Sequence, residues 1–216
     1  MSVETANIKS ALREAREKAK KRNFKQSVEL IINLRDVDVK KPENRIQETI
    51  ELPHAIDKNV GVCVFADGDL ALRARRAGAD LVLGSADIEG LMNNRKKQRE
   101  IANSIHSFIA AAPLMQLIGR VFGPILGPRG KMPTPVPPTV NIEEVIERHK
   151  RIIRVRARDQ PVIHCRVGTE SMVDDEIAEN IQAVIGRIAR RLRRGMKNIE
   201  SIYVKMTMGP AVKVKF

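Results

Sequence analysis

Residues 123–135 read GPILGPRGKMPTP and set Arg129 and Lys131 among three glycines and four prolines. Cations on so stiff a backbone can meet phosphate with little loss of entropy. A phosphate-cradling loop needs G-x-x-x-x-G-K-[ST]. Counting back from Gly130-Lys131 finds Ile125 where the first glycine belongs, and Met132 stands where the hydroxyl belongs. No G-x-G-x-x-G follows the apolar run VGVCVFA at 60–66 either, so a dinucleotide site has no support. Two readings stay open for the loop. Either it is a rigid surface turn, with Gly supplying positive φ and Pro locking it, or Arg129 and Lys131 contact a polyanion or the other domain.

The remaining reactive residue types make no catalytic set. His54, His106, His149 and His164 are scattered, and Cys63 and Cys165 lie in apolar runs without metal spacing. His164 and Cys165 are neighbours in a strand pattern, so their side chains point to opposite faces and cannot act as base and nucleophile. Asp174, Asp175 and Glu176 stand where a helix start favours negative charge. No catalytic residue, metal ligand or cofactor is expected. What remains is basic clusters at 18–25, 148–158 and 187–197, the turn TMGP at 207–210, and Phe24, either a core side chain or an exposed stacking face. RNA is read largely through shape, phosphate and 2′-hydroxyl contacts, which such a turn can make.

These residues need elements to hold them. Residues 4–23 show helical spacing at Ile8, Ala11, Leu12, Ala15 and Ala19. SVELIINLR and RIQETIEL alternate, as strands of an antiparallel sheet with one wet face do. From Pro53 the texture changes to continuous apolar strands separated by short helices, the mark of a mostly parallel sheet covered on both faces. After residue 151 alternation returns in IIRVRAR and PVIHCRV, then a long amphipathic helix, then SIYVKMTMGPAVKVKF. Neither flank alone can bury its faces. The expected fold is therefore α/β and α+β in two domains: a split α+β domain with an antiparallel sheet built by both chain ends (1–55 plus 152–216), and an inserted Rossmann-like α/β domain (56–151).

Charge agrees with that division. The chain carries 39 Lys and Arg against 26 Asp and Glu, a net +13. The insert holds 14 against 10, or +4, and the flanks 25 against 16, or +9. Such an excess attracts polyanions, nucleic acid first. Apolar residues make up 43% of the chain and aromatic residues 3%, so aliphatic side chains must fill the core. No apolar run approaches the roughly 18 residues of a membrane span, and an intracellular monomer is expected.

LGPRGKMP (126–133) resembles the signature of the large-subunit ribosomal protein family called L-one, the protein of the mobile stalk. RNFKQSVELIINLR, ELPH, AGADLVLG, IHCRVGT and SIYVKMTMGP follow in that family's order, over nearly the whole chain. Lys131, Lys205-Met206 and the short N-terminus resemble archaeal members. The resemblance implies a cytoplasmic, ribosomal protein whose split domain binds large-subunit rRNA. It also implies help in releasing deacylated exit-site tRNA, and repression of its own mRNA. Carried over by position, it implies RNA contacts at Phe24, Ser27, Glu29, Arg166, Gly168, Ser201, Thr207, Met208 and Gly209. Phe24 and Met208 would pack on sugars or an exposed base, and Ser27, Glu29 and Thr207 would bond 2′-hydroxyls. A nucleotide- or phosphometabolite-dependent α/β enzyme is the alternative from another class, and a basic adaptor without a fixed RNA site is a third.

Overall fold

The computed structural model describes residues 3–38, 41, 44–56, 60–157 and 160–216. The elements are α1 (Thr5–Lys18), β1 (Ser27–Leu34) and β2 (Ile46–Glu51), then β3 (Val62–Phe65), α2 (Gly68–Arg76), β4 (Leu81–Leu83), α3 (Ser85–Gly90), α4 (Arg95–Ser104) and β5 (Ser107–Ala111). They continue with α5 (Met115–Val121), α6 (Gly123–Leu126), β6 (Thr134–Val136), α7 (Ile142–Lys150), β7 (Ile152–Ala157), β8 (Val162–Thr169), α8 (Asp174–Arg191), β9 (Ile199–Met206) and β10 (Val212–Val214). The chain divides into two compact units, residues 1–57 with 151–216, and residues 58–150.

In the split unit β1, from the N-terminal flank, lies between β8 and β9, from the C-terminal flank, in the order β10-β9-β1-β8. Every neighbouring pair is antiparallel. Alternation along β1 buries Val28, Leu30, Ile32 and Leu34 and leaves Ser27, Glu29, Ile31 and Asn33 half-exposed. Ile8, Leu12 and Ala15 of α1 and Ile177, Ile181, Val184 and Ile188 of α8 join the buried side in one core. Both helices thus cover one face and leave the other open. The strand read at 46–52 does not extend this sheet. It pairs as β2 with β7 in a separate two-stranded ladder. Beyond that ladder, Leu52 N–H donates to the Arg151 carbonyl at 3.0 Å.

Helix α1 ends at Lys18, short of the expected residue 23, with Ala19 extended at ψ 126. Continuing it would stack Lys18, Lys20, Lys21 and Arg22 within one turn, where like charges at helical spacing repel. In the same unit, Asn180 of α8 is fully buried. Its amide nitrogen donates to the carbonyls of Val167 (2.9 Å) and His54 (3.1 Å), and its oxygen accepts from His54 N–H (3.0 Å). One side chain thus fixes the last turn before the insert.

The inserted unit has the parallel order β4-β3-β5-β6. Cys63 and Phe65 face one core and Val62 and Val64 the other, which is why this strand is apolar without alternation. Phe65 stacks with Phe108 at 5.9 Å and meets Phe122 at 5.4 Å. Burial pushes the Cys63 thiol far up and the Cys165 thiol to about 12.

The Gly/Pro stretch is more ordered than a bare loop. It opens as helix α6 and closes as strand β6, whose Pro135 pairs with Ala110 at the sheet edge. There a missing donor costs nothing. Gly130 takes φ 66, as the turn reading required. Lys131 does not reach outward. Its ammonium donates to the carbonyls of Ala102 (2.8 Å) and Ile105 (2.6 Å) at the C-terminal end of α4, where a cation is favoured. Arg129 stays exposed and donates to Asn103 Oδ1 at 2.6 Å. Lys131 thereby helps hold its own domain.

Lys131→Met should lower stability by roughly 1–3 kcal/mol, because two partly buried carbonyls lose their donor. Thermal or urea unfolding of the full chain checks this, and an unchanged midpoint would refute the capping role. Both thiols should resist iodoacetamide in the native protein at about pH 8 and react fully in denaturant. Their raised pKa values make stability complete below the ordinary thiol range and lost as pH rises through the folded values, so alkali above about pH 9 should destabilise.

Candidate nucleic-acid interface

The open face begins where the chain enters β1. Residues 20–25 are all exposed and carry Lys20, Lys21, Arg22 and Lys25. Gln26, only 3% exposed, anchors them. Its amide nitrogen donates to the Lys20 carbonyl at 3.1 Å and its amide oxygen accepts from Met208 N–H at 3.3 Å. Its own carbonyl accepts from Glu170 N–H at 2.9 Å. Three loops are thus held by one residue.

Thr207 locks the TMGP turn to the same strand end. Its N–H donates to the Ser27 carbonyl at 3.0 Å, its hydroxyl donates to that carbonyl at 3.2 Å, and Ser27 N–H donates to Oγ1 at 3.0 Å. Gly209 packs so closely that a Cβ would stand 3.3 Å from Ala19 Cβ and Met206 Cβ. On this pinned frame Phe24 is 51% exposed and Met208 57% exposed. Two large apolar side chains thus stand in water on pinned backbone.

Behind that rim the register sets rows across the face. Glu29 pairs with Arg166 on one side and Lys205 on the other, with Lys205 Nζ 3.5 Å from the carboxylate and 2.9 Å from the Thr207 carbonyl. The next row is His164, Ile31, Tyr203 and Lys213. The third brings Asn33 to Ser201, whose Oγ accepts from Nδ2 at 2.8 Å. His164 is exposed and Cys165 buried, opposite faces as alternation requires.

Of the residues expected at a site, Phe24, Ser27, Glu29, Arg166, Ser201, Thr207, Met208 and Gly209 converge on this face and its rim. Gly168 does not. A bulge between Val28 and Glu29 shifts the register, so Gly168 lies opposite buried Val28. A Cβ there would come within 2.8 Å of Ile177 Cγ1, so this glycine admits α8 to the sheet. The strand runs on through Thr169. The hydroxyls of Thr207 and Ser201 are engaged inside the protein, so each positions neighbours first. Arg129 and Lys131 lie in the other unit. Gln26, Asn33, Tyr203 and Lys205 escaped the sequence reading. For Tyr203 and Lys205 the alternation of β9 was a usable signal, whereas nothing in the sequence marks Gln26 as buried.

Among the described residues no cluster of His, Cys, Asp or Glu could hold a metal, and no helix is long and apolar enough to cross a membrane. In the parallel sheet the strand order reverses beside β3, where a nucleotide would sit. Helix α2 opens there with Asp67 and Asp69, the wrong sign for phosphate.

The model of the ribosomal protein L1p/L10e family matches residues 15–210. The chain belongs to this family. Relatives named large ribosomal subunit protein uL1 include that of Methanothermobacter thermautotrophicus, 48% identical over 96% of this chain and 98% of the relative. The Pyrococcus abyssi protein is 49% identical over all of this chain and 98% of its own. The Thermococcus kodakarensis protein is 44% identical over the whole of both. The resemblance to archaeal members of this family therefore stands. Membership makes the chain a ribosomal protein, not an enzyme.

Thr207→Val removes both hydroxyl bonds and leaves Ser27 N–H unpaired, so the turn should loosen while the sheet survives. Hydrogen exchange of the Ser27 and Met208 amides should accelerate at least tenfold and stability should fall by roughly 1–3 kcal/mol. Unchanged exchange at both amides would show that the hydroxyl does not hold the turn.

Proposed function

We propose that the open face of the split unit binds a structured element of large-subunit rRNA, making the chain a structural constituent of the large subunit at its mobile stalk. The observation that carries this reading is the rim: exposed Phe24 and Met208 held by Gln26 and Thr207 beside Lys20, Lys21, Arg22 and Lys25. Exposed aromatic and apolar groups accept sugars or an unstacked base, and cations accept the backbone. Glu29 fits this surface. Level with Arg166 and bonded to Lys205, it holds one cation in place and leaves acceptor capacity for a 2′-hydroxyl, which DNA lacks.

The same face would take a similar structure in the chain's own mRNA, so the two RNAs would compete and free protein would repress its synthesis. Release of exit-site tRNA is assigned to the inserted unit. Arg95 and Arg99 lie one turn apart on α4, exposed, and the next turn brings Asn103 with Arg129 bonded to it. Such a stripe suits a polyanion that must leave again, because exposed charge contacts alone bind weakly at physiological salt.

Titration of the full chain against a transcript of the large-subunit stalk stem tests the main reading. Met208→Asp puts a carboxylate against RNA and should weaken binding at least tenfold without changing the melting temperature. Wild-type affinity in that variant would overturn the assignment. Arg95→Glu with Arg99→Glu should leave the stalk transcript bound as before and reduce crosslinking to deacylated tRNA on the ribosome. Loss of stalk binding there would move the primary site to the inserted unit.

A further inference from the structure

The chain contains five phenylalanines and one tyrosine. Phe65, Phe108 and Phe122 are fully buried in the inserted unit. The other two, Phe24 and Phe216, are both exposed, at 51% and 40%. They lie at opposite ends of the same sheet. Phe24 precedes β1, and Phe216 follows β10, whose Val214 is level with Ile202 and so with Ile32. Eight residues of β1 at about 3.3 Å each separate the ends by roughly 25 Å.

The far end repeats the chemistry of the rim. A groove of about 710 Å³ opens there, within the size range of sites that hold nucleotide-sized ligands. Arg35, Lys197, Lys213 and Lys215 line it, against the single acidic side chain of Glu200. Among the described residues none of the three lysines has an ion-pair partner. Buried Ile199 and Val214 form an apolar floor, with Met196 half-buried beside Phe216. The walls are fixed. Arg35 Nε donates to the Lys197 carbonyl at 3.0 Å, and Arg35 N–H to the Asn198 carbonyl at 2.9 Å. Asn198, 3% exposed, returns a bond from Nδ2 to the Arg35 carbonyl at 3.0 Å.

Lysines on an edge strand are a common guard against strand addition, which would account for Lys213 and Lys215 on β10. It does not account for Arg35 and Lys197, which two other segments bring to the same groove and which guard no edge. Nor does it account for an exposed phenylalanine beside them. A base has a π-face for an aromatic ring and a phosphate for cations, and this pairing is the recurrent platform for unpaired nucleotides.

We propose that this groove holds an unpaired nucleotide of the RNA that lies on the open face, with its base against Phe216 and Met196 and its phosphate against Arg35, Lys197 and Lys215. The inference rests on the reading of that face as an RNA surface. The row His164, Ile31, Tyr203, Lys213 lies between the two ends, so the bound RNA runs along β1 and is gripped at both.

The test uses the full chain and the stalk-stem transcript, with salt varied. Phe216→Ser should weaken binding about tenfold. Lys197→Gln with Lys215→Gln should do the same and flatten the slope of log affinity against log salt by about 0.7, the loss of one single-strand phosphate contact. Melting temperatures should not move, since all three side chains are exposed. Shortening the transcript from one end should bring variants and wild type to equal affinity once the gripped nucleotide is gone. Unchanged affinity and slope in both variants, while Met208→Asp loses binding, would overturn the groove and leave the rim intact. An equal loss on neutralising Lys96 and Lys97 of α4 would mark general charge attraction and also overturn it. A wild-type chain that does not bind the transcript would remove the underlying reading and this inference together.

Discussion

The seating of β1 between β8 and β9 is the constraint on which the rest depends. That strand supplies Glu29 to Lys205, Asn33 to Ser201 and its first backbone groups to Thr207. It also buries the four aliphatic side chains on which α1 and α8 meet. None of these contacts is local in sequence. The open face is therefore the wet side of a sheet that exists only when both flanks are joined, and its cations keep their spacing because the register leaves no freedom to slide.

Electrostatics and rigidity act together there. A basic excess can draw a polyanion in but cannot by itself define an orientation. In the proposed interface orientation would come from groups that look misplaced on composition alone: a carboxylate level with two cations, a buried glutamine under an exposed loop, and two apolar side chains held in water. Each is costly unless something holds it. Gln26 and Thr207 hold the rim, and Lys205 holds Glu29 while capping the turn. Hydrogen bonds that would contribute little in a flexible loop here set the angle at which Phe24 and Met208 leave the surface.

Much of this was legible in the sequence, and the physical reason is periodicity. Alternation marked β1, β8 and β9, and the unbroken apolar run of β3 marked a strand covered on both sides. The change of texture at Pro53 and its reversal after residue 151 marked an insertion. What escaped depends on three-dimensional neighbours. The pairing of β2 with β7 is invisible to a window of residues. Gly168 reads as a surface contact until α8 is placed over it. Lys131 reads as a free cation until the end of α4 arrives beneath it. Strand β6 hides in a proline-rich stretch because edge strands tolerate what central strands cannot.

The split sheet also bears on how the chain is made. Residues emerge from a translating ribosome in order, so β1 appears early and both strands that flank it appear late. Between them the whole insert must be synthesised, whose strands all belong to one contiguous segment. At ordinary translation rates the interval is on the order of ten seconds. Throughout it, a strand with Val28, Leu30, Ile32 and Leu34 along one side has open backbone on both edges. A nascent β1 is thus the segment of this protein most in need of a temporary companion, whether a chaperone or helix α1 folded back across it.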